Sequence, residues 1–254
     1  MRIKAKLLVV FRFLQVVRKS RRYLPWWDLL HPSNLLLSWR VHGHTYLTMA
    51  GLVNIRTLAR LADKEAIEGA FVECGVWRGG CAGIMGRFAE ASGRRLWLFD
   101  SFEGMPEATT RDIGKEADEL ACGRKDGRLI PVGTNVASLE DVKELLHHRF
   151  GLRPTTVVFR KGWFQHTVEA SRAEVGPVAI LHIDADWYES TRVCLEGLYN
   201  NVAKGGFIVI DDYGFFPGCK AAVDDFLARR NLDVQLITVD DTVVYFRKPV
   251  TERS

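Results

Sequence analysis

Two apolar runs near the middle of the chain each give way at once to acidic residues. Ala179-Ile-Leu-His-Ile183 is followed by Asp184-Ala-Asp186, and Gly206-Phe-Ile-Val-Ile210 by Asp211-Asp212. Short continuous apolar runs bounded by polar residues predict strands buried on both faces of a parallel sheet. Three earlier segments have the same character: Ala70 to Glu73, Arg95 to Asp100 and Thr155 to Arg160. Between them the period changes. Val53 to Lys64 sets Val53, Ile55, Leu58 and Leu61 at helical spacing, and Ala82 to Ala91, Leu139 to Phe150 and Cys219 to Arg230 read as further helices. Val234 to Thr238 and Thr242 to Arg247 close the chain as a hairpin through Val239-Asp-Asp241. The order predicts an α/β protein with a doubly wound, mostly parallel seven-stranded sheet and an antiparallel C-terminal hairpin. Met105 to Thr134, polar and Gly-rich with a charged centre, reads as a long loop or lid.

Ahead of this series lies a different kind of segment. Residues 1–22 carry Arg2, Lys4, Lys6, Arg12, Arg18, Lys19, Arg21 and Arg22 without one acid, interleaved with Leu7-Leu-Val-Val-Phe11, Phe13-Leu14 and Val16-Val17. The stretch is too short and too charged to span a bilayer, which takes about 20 apolar residues. It also lacks the small-residue cleavage site of a secretory signal. It predicts a basic amphipathic helix that either lies on an anionic membrane surface or packs its apolar face on the domain or a neighbouring subunit. Pro25-Trp26-Trp27 and His31-Pro32 break this segment from the remainder of the chain. The chain therefore divides into an N-terminal extension, residues 1–45, and a domain over residues 46–254. With 254 residues, 47% of them hydrophobic, the chain can bury an ordinary core. A net charge of +4 gives no argument for nucleic acid. Five cysteines without a CxxC pair or histidine spacing read as free thiols in a reducing cytoplasm, with residues 1–22 the candidate for membrane contact.

The acidic pairs bring in chemistry. Parallel strands present their carboxyl ends together, where open α/β sheets bind ligands, so Asp184, Asp186, Asp211 and Asp212 should converge on one rim. Clustered carboxylates raise each other's pKa unless a cation lies between them, and an all-oxygen donor set suits Mg²⁺, Ca²⁺ or Mn²⁺. The alternative for each acid singly is a helix cap or turn former. At the first strand's end, Glu73-Cys-Gly-Val-Trp-Arg-Gly-Gly80 opens a helix. Gly75 permits a tight turn, and Gly79 and Gly80 permit close approach of a ligand. The GxGxxG spacing is absent, which disfavours a pyrophosphate cradle and an NAD oxidoreductase. Asp100, ending the second strand, can accept from both hydroxyls of a ribose, and Glu73 can take an ammonium group. A cofactor with a ribose and an amino-acid tail but no phosphate fits, as in S-adenosylmethionine.

Five segments in order, Phe71 to Gly80, Asp100 to Pro106, Lys161-Gly-Trp-Phe164, Asp184 to Thr191 and Gly205 to Gly214, resemble the macrocin O-methyltransferase family. Its members are class I S-adenosylmethionine- and metal-dependent enzymes acting on sugar hydroxyls of natural products. The resemblance runs from about Tyr46 to Arg247 and implies a Rossmann-like methyltransferase fold. It implies that Glu73, Gly75, Val76, Trp77, Arg78 and Gly79 line the methionine moiety, that Asp100 holds the ribose and that Ser101 sits by the adenosine. It further implies that Asp184, Asp211 and Asp212 bind the divalent metal, Mg²⁺ foremost, that Asp186 is the general base, and that the protein is a homo-oligomer. His166 is a rival base with a well-matched pKa. The chain departs from the family in having His166 where an acid is usual and His182 where Arg is usual. Within its apolar strand His182 reads as a core histidine. Trp77, Trp163, Phe164, Trp187 and Tyr188 either stack on a ligand or pack the core. The expected function is metal-dependent methyl transfer to a sugar hydroxyl of a glycosylated natural product or glycan precursor. The alternatives are a catechol-type phenolic O-methyltransferase and a non-catalytic S-adenosylmethionine-binding subunit.

Overall fold

A computed structural model describes residues 18 and 20–250, so most of the expected basic helix of residues 1–22 lies outside the described residues. Seven strands form one sheet: β1 (Ala70–Cys74), β2 (Leu96–Asp100), β3 (Val157–Lys161), β4 (Val178–Ile183), β5 (Val202–Ile210), β6 (Ile237–Thr238) and β7 (Val244–Arg247). Their spatial order is β3-β2-β1-β4-β5-β7-β6, parallel through β5 and antiparallel for the last two. The doubly wound sheet with its C-terminal hairpin is the architecture the apolar pattern predicts.

Successive side chains of a strand point to opposite faces, and the two faces build two cores. Val72, Cys74, Trp97, Phe99, Leu181 and Ile183 enter one. Phe71, Leu96, Leu98, Ile180, Phe207 and Val209 enter the other. The second core is covered by α3 (Met49–Lys64) through Leu52, Ile55 and Leu58, and by α4 (Gly80–Ala91) through Ala82, Ile84 and Met85. The first is covered by α7 (Phe164–Val175), α8 (Tyr188–Leu198) and α9 (Pro217–Arg229) through Val168, Leu195, Leu198, Val223 and Phe226.

The apolar pattern misses α7 and α8. Helix α7 buries only Val168, Ser171 and Val175 among polar neighbours, and α8 begins inside the acidic motif, where no apolar stripe announces it. Two shorter helices, α1 (Trp26–Leu29) and α2 (Pro32–Val41), precede α3. Pro32 stands at the start of α2, where a missing N–H costs nothing, so this proline begins a helix as well as breaking the chain. The expected helix from Leu139 to Phe150 is α6 (Leu139–Lys143) followed by a π-helical turn, Glu144–Arg149. The expected strand from Val234 contracts to β6, an edge strand whose two residues are both exposed.

The segment from Met105 to Thr134 is more ordered than a loose lid. It contains α5 (Lys115–Leu120) and sinks Met105, Ala108, Ala117, Ala121 and Val132 into the first core. The buried Glu107 carboxylate takes two side-chain hydrogen bonds from Arg128, and Trp187 Nε1 donates to Pro106 O at 3.1 Å.

Candidate active site

The strand order reverses between β1 and β4, which puts the topological switch point at their carboxyl ends. A cavity of about 420 Å³ opens there, within the range of small-molecule sites. Its walls come from the ends of β1, β2, β4 and β5, from the start of α7, and from the segment ahead of α3.

The first turn depends on Gly75. Its φ is +90°, and a Cβ there would stand 1.7 Å from the backbone oxygen of Asp184, so no other residue fits without moving β4. Asp184 N–H in turn donates to Cys74 O at 2.8 Å, which locks the two strand ends together. Gly79, with φ +78°, caps α4, and Gly80 N–H donates to His44 O at 2.8 Å. That bond draws His44, Thr45 and Tyr46 into the cavity wall, with Tyr46 stacked on Trp77 at 4.2 Å. No pattern in the sequence marks these three residues, because they meet the glycine turn only through the fold. Arg78 turns away from the cavity, its guanidinium over the Trp77 ring and donating to Gly43 O.

Asp100 does more than the sequence suggests. Its Oδ2 accepts from the N–H groups of Val76 (2.7 Å) and Trp77 (3.0 Å), and its Oδ1 from Phe102 N–H (2.6 Å). The carboxylate therefore staples the turn after β1 to the turn after β2. Burial pushes its pKa up, and those backbone donors pull against the rise. A carboxylate has about four lone-pair sites, so acceptor capacity remains for a ligand. Ser101 Oγ is engaged locally, donating to Gly104 O and accepting from Glu103 N–H.

Glu73 and His182 are register partners on β1 and β4, buried side by side. His182 Nδ1 lies 3.3 Å from Glu73 Oε1 and 3.7 Å from Cys81 Sγ. Glu73 Oε2 and His182 Nε2 are buried without a partner. His182 is thus a core residue, as its apolar surroundings predict, yet only one ring nitrogen is satisfied.

The four acids converge as the strand order requires. Ligand atoms of Asp184, Asp186 and Asp212 all lie within 4.8 Å of one another, and Asp211 sits beside Asp184 in hydrogen-bond contact. Burial raises Asp184 well above the usual carboxylate range, with Asp211 and Asp186 adding repulsion. Burial and then Asp212 do the same to Asp211, while burial, Asp186 and Asp184 raise Asp212. Asp186 is pushed up to about 7, by burial first and then by Asp100 and Asp112. Asp186 also has φ +56°, a left-handed conformation uncommon outside glycine and typical of strained functional positions. Asp112, missed in the sequence, is buried: Oδ1 accepts from Tyr188 N–H and Oδ2 from Thr109, which holds the corner at Trp187-Tyr188.

His166 is exposed on the first turn of α7 and is not among the residues lining the cavity, whereas Trp163, Phe164 and Gln165 are. Trp187 and Tyr188 serve mainly packing: Trp187 is buried edge-on to Phe216, and Tyr188 Oη donates to Asp225 beneath Arg111. Among the described residues the cavity is lined by six carboxylates, from Glu73, Asp100, Asp184, Asp186, Asp211 and Asp212, and by neither lysine nor arginine. Asp212 Oδ2 is buried without a partner. An all-oxygen cluster with an unsatisfied oxygen and no protein cation fits a hard divalent ion.

The family described as Macrocin-O-methyltransferase (TylF) matches residues 35–248. Over 219 residues the chain is 35% identical to the 8-demethyl-8-(2,3-dimethoxy-alpha-L-rhamnosyl)-tetracenomycin-C 4'-O-methyltransferase of Streptomyces olivaceus, covering 85% of this chain and 80% of that protein. Over 210 residues it is 30% identical to the mycinamicin III 3''-O-methyltransferase of Micromonospora griseorubida, covering 81% and 79% respectively. The solved O-methyltransferase NovP superposes with a TM-score of 0.71 at 28% identity, over 95% of this chain and 99% of that one. The match extends from within α2 past the end of β7 and takes in every strand that shapes the cavity. The protein therefore belongs to the macrocin O-methyltransferase family and is an O-methyltransferase.

Proposed function

We propose that this enzyme moves the methyl group of S-adenosylmethionine to a sugar hydroxyl of a glycosylated natural product or glycan precursor, with Mg²⁺ as a divalent partner. The observation that carries this reading is the switch-point cavity, lined among the described residues by six carboxylates and by neither lysine nor arginine. The sugar acceptor is supported by the Streptomyces olivaceus relative, whose name specifies methylation of a rhamnosyl tetracenomycin.

The chemistry S-adenosylmethionine supplies when bound is an electrophilic methyl group on a sulfonium. Glu73, whose Oε2 has no partner while His182 Nδ1 stands 3.3 Å from its Oε1, would hold the ammonium of the cofactor's amino-acid tail. Asp100 would offer its one remaining acceptor site to the ribose while it keeps the turn over Val76 and Trp77 closed. Asp184 and Asp212 would hold the cation, with Asp211 behind Asp184. A hard cation there offsets carboxylate repulsion and the charge growing on an acceptor oxygen. Asp186 takes the acceptor's proton, its basicity raised above that of an ordinary carboxylate by burial. His166, exposed outside the cavity lining, is the weaker candidate. The pocket contributes mainly orientation and charge placement.

Calorimetric titration of S-adenosylmethionine with and without Mg²⁺, repeated on Glu73→Gln and Asp212→Ala, separates the two half-sites. Affinity should fall in the first variant and persist in the second. An acceptor screen with rhamnosylated natural products and catechols then sets sugar against phenol. Absence of S-adenosylmethionine binding by the wild-type chain would sink the reading.

A further inference from the structure

We propose that α1 and α2 form a docking face for an anionic membrane surface. The inference is independent of the methyl-transfer chemistry.

Helix α2 is amphipathic in the wrong sense for a domain surface. Its buried positions include polar Asn34 (1% exposed) and Ser38 (3%), whereas Leu36 (53%) and Trp39 (48%) point outward one turn apart. Arg40, also exposed, stands one turn after Leu36 on the same side. Helix α1 adds Trp26 (68%), Trp27 and Leu30, all exposed. Five of the twelve large hydrophobic side chains that stand exposed among the described residues thus fall within residues 26–39. Scattered exposed hydrophobics need no explanation, but a cluster containing three tryptophans marks an interaction surface. Tryptophan prefers the boundary between headgroups and acyl chains. No helix among the described residues is long and apolar enough to cross a membrane, so contact would lie in the interface plane.

Charge selects the occupant. Residues 1–62 carry 11 Lys and Arg against a single acid, Asp28, while residues 63–254 carry 24 against 30 acids. Arg18, Arg21 and Arg22 are exposed just ahead of α1, and Arg22 meets Asp241 in a loose, solvent-exposed ion pair at 3.9 Å. Ser20 Oγ accepts from Met49 N–H, which pins this basic approach to the start of α3. Eight of the eleven cations belong to residues 1–22, of which Arg18, Arg21 and Arg22 are described. A second copy docked through the same face by two-fold symmetry would set like charges such as Arg21, Arg22 and Arg40 against their own copies and cost affinity. An anionic bilayer accepts both the cations and the tryptophans.

The test is flotation of the full chain with vesicles of phosphatidylcholine, with and without phosphatidylserine, alongside light scattering for oligomeric state. The expected result is binding only to phosphatidylserine vesicles, a blue shift of tryptophan emission on binding, and weakening by salt. The combined variant Trp26→Ser/Trp27→Ser/Leu36→Ser/Trp39→Ser should lose binding with an unchanged circular dichroism spectrum. Should it fail to fold, Arg21→Glu/Arg22→Glu/Arg40→Glu serves instead, with about a fivefold loss for each charge removed. The proposal is overturned if the wild-type chain ignores anionic vesicles. It is equally overturned if the serine variant changes an oligomer to a monomer while vesicle binding persists, or if deleting residues 1–17 abolishes binding that both variants retain.

Discussion

The rim of the sheet and the α1–α2 face break the same rule in opposite directions. At the rim, acids are drawn out of solvent: Asp211 is buried and Asp184, Asp186 and Asp212 are partly buried, crowding a cavity whose described lining includes neither lysine nor arginine. On α2, apolar side chains are exposed while Asn34 and Ser38 are buried. Ordinary domains hide apolar atoms and solvate charge, and each departure costs free energy unless something else completes the site. The rim is a small, enclosed, all-oxygen site that suits an ion and small molecules. The helical face is broad, aromatic and basic, suited to an extended surface. The way each region departs from the rule indicates what completes it.

The largest effect expected on this contrast is at Asp186, the base we propose. Asp186→Asn should lower kcat about 10³-fold, with S-adenosylmethionine affinity retained in calorimetry. Gly75→Ala should cost about 3 kcal/mol or more of stability, measured by chemical denaturation, because the added Cβ meets Asp184 O at 1.7 Å and φ is +90°. Glu73→Gln should weaken S-adenosylmethionine binding about tenfold and leave Mg²⁺ binding intact, since only one charged contact is lost.

The pH dependence of stability is the next effect in size. The four rim acids have folded pKa values above their unfolded values near 4, with Asp186 at about 7. The folded state then binds more protons than the unfolded state in this window, so stability falls as pH rises. Without divalent ions, thermal melts should therefore decline from pH 5 to 8, and Mg²⁺ should flatten the decline by relieving the repulsion. A flat profile without Mg²⁺ would remove the rim from the comparison. The smallest effect concerns the other region. Trp26→Ser should change unfolding free energy by no more than about 0.5 kcal/mol, because a side chain 68% exposed adds little to the core. A larger loss would make Trp26 part of the domain's packing.

Much of this molecule can be read before it folds, and the reason is periodicity. Buried parallel strands are nearly continuous apolar runs, so β1 to β5 stand out, and the acids at the ends of β1, β2, β4 and β5 mark the rim without any knowledge of contacts. The C-terminal hairpin is equally plain, although its edge strand shrinks where Ile237 and Thr238 lack cover on their outer side. Helix α7 is hidden because its inward face is narrow, and α8 because its inward face is partly polar, with Ser190 and Thr191 among its buried residues.

Sequence proximity and residue type were enough for the local facts: which segments are strands, which acids follow them, and that Gly75 must turn. Sequence spacing carries no record of what comes to lie against what across the sheet. Only folding brought His44 and Tyr46 onto the glycine turn, set Asp112 beside Asp186, and made Asp100 a staple for three backbone amides. The same holds for the orientation of α2, where Asn34 and Ser38 face inward because the body of the domain, rather than the helix's own composition, determines which side is covered. Local structure follows from short-range sterics and hydrophobic period, whereas burial, and with it every pKa shift at the rim, is a property of neighbours far away in the chain.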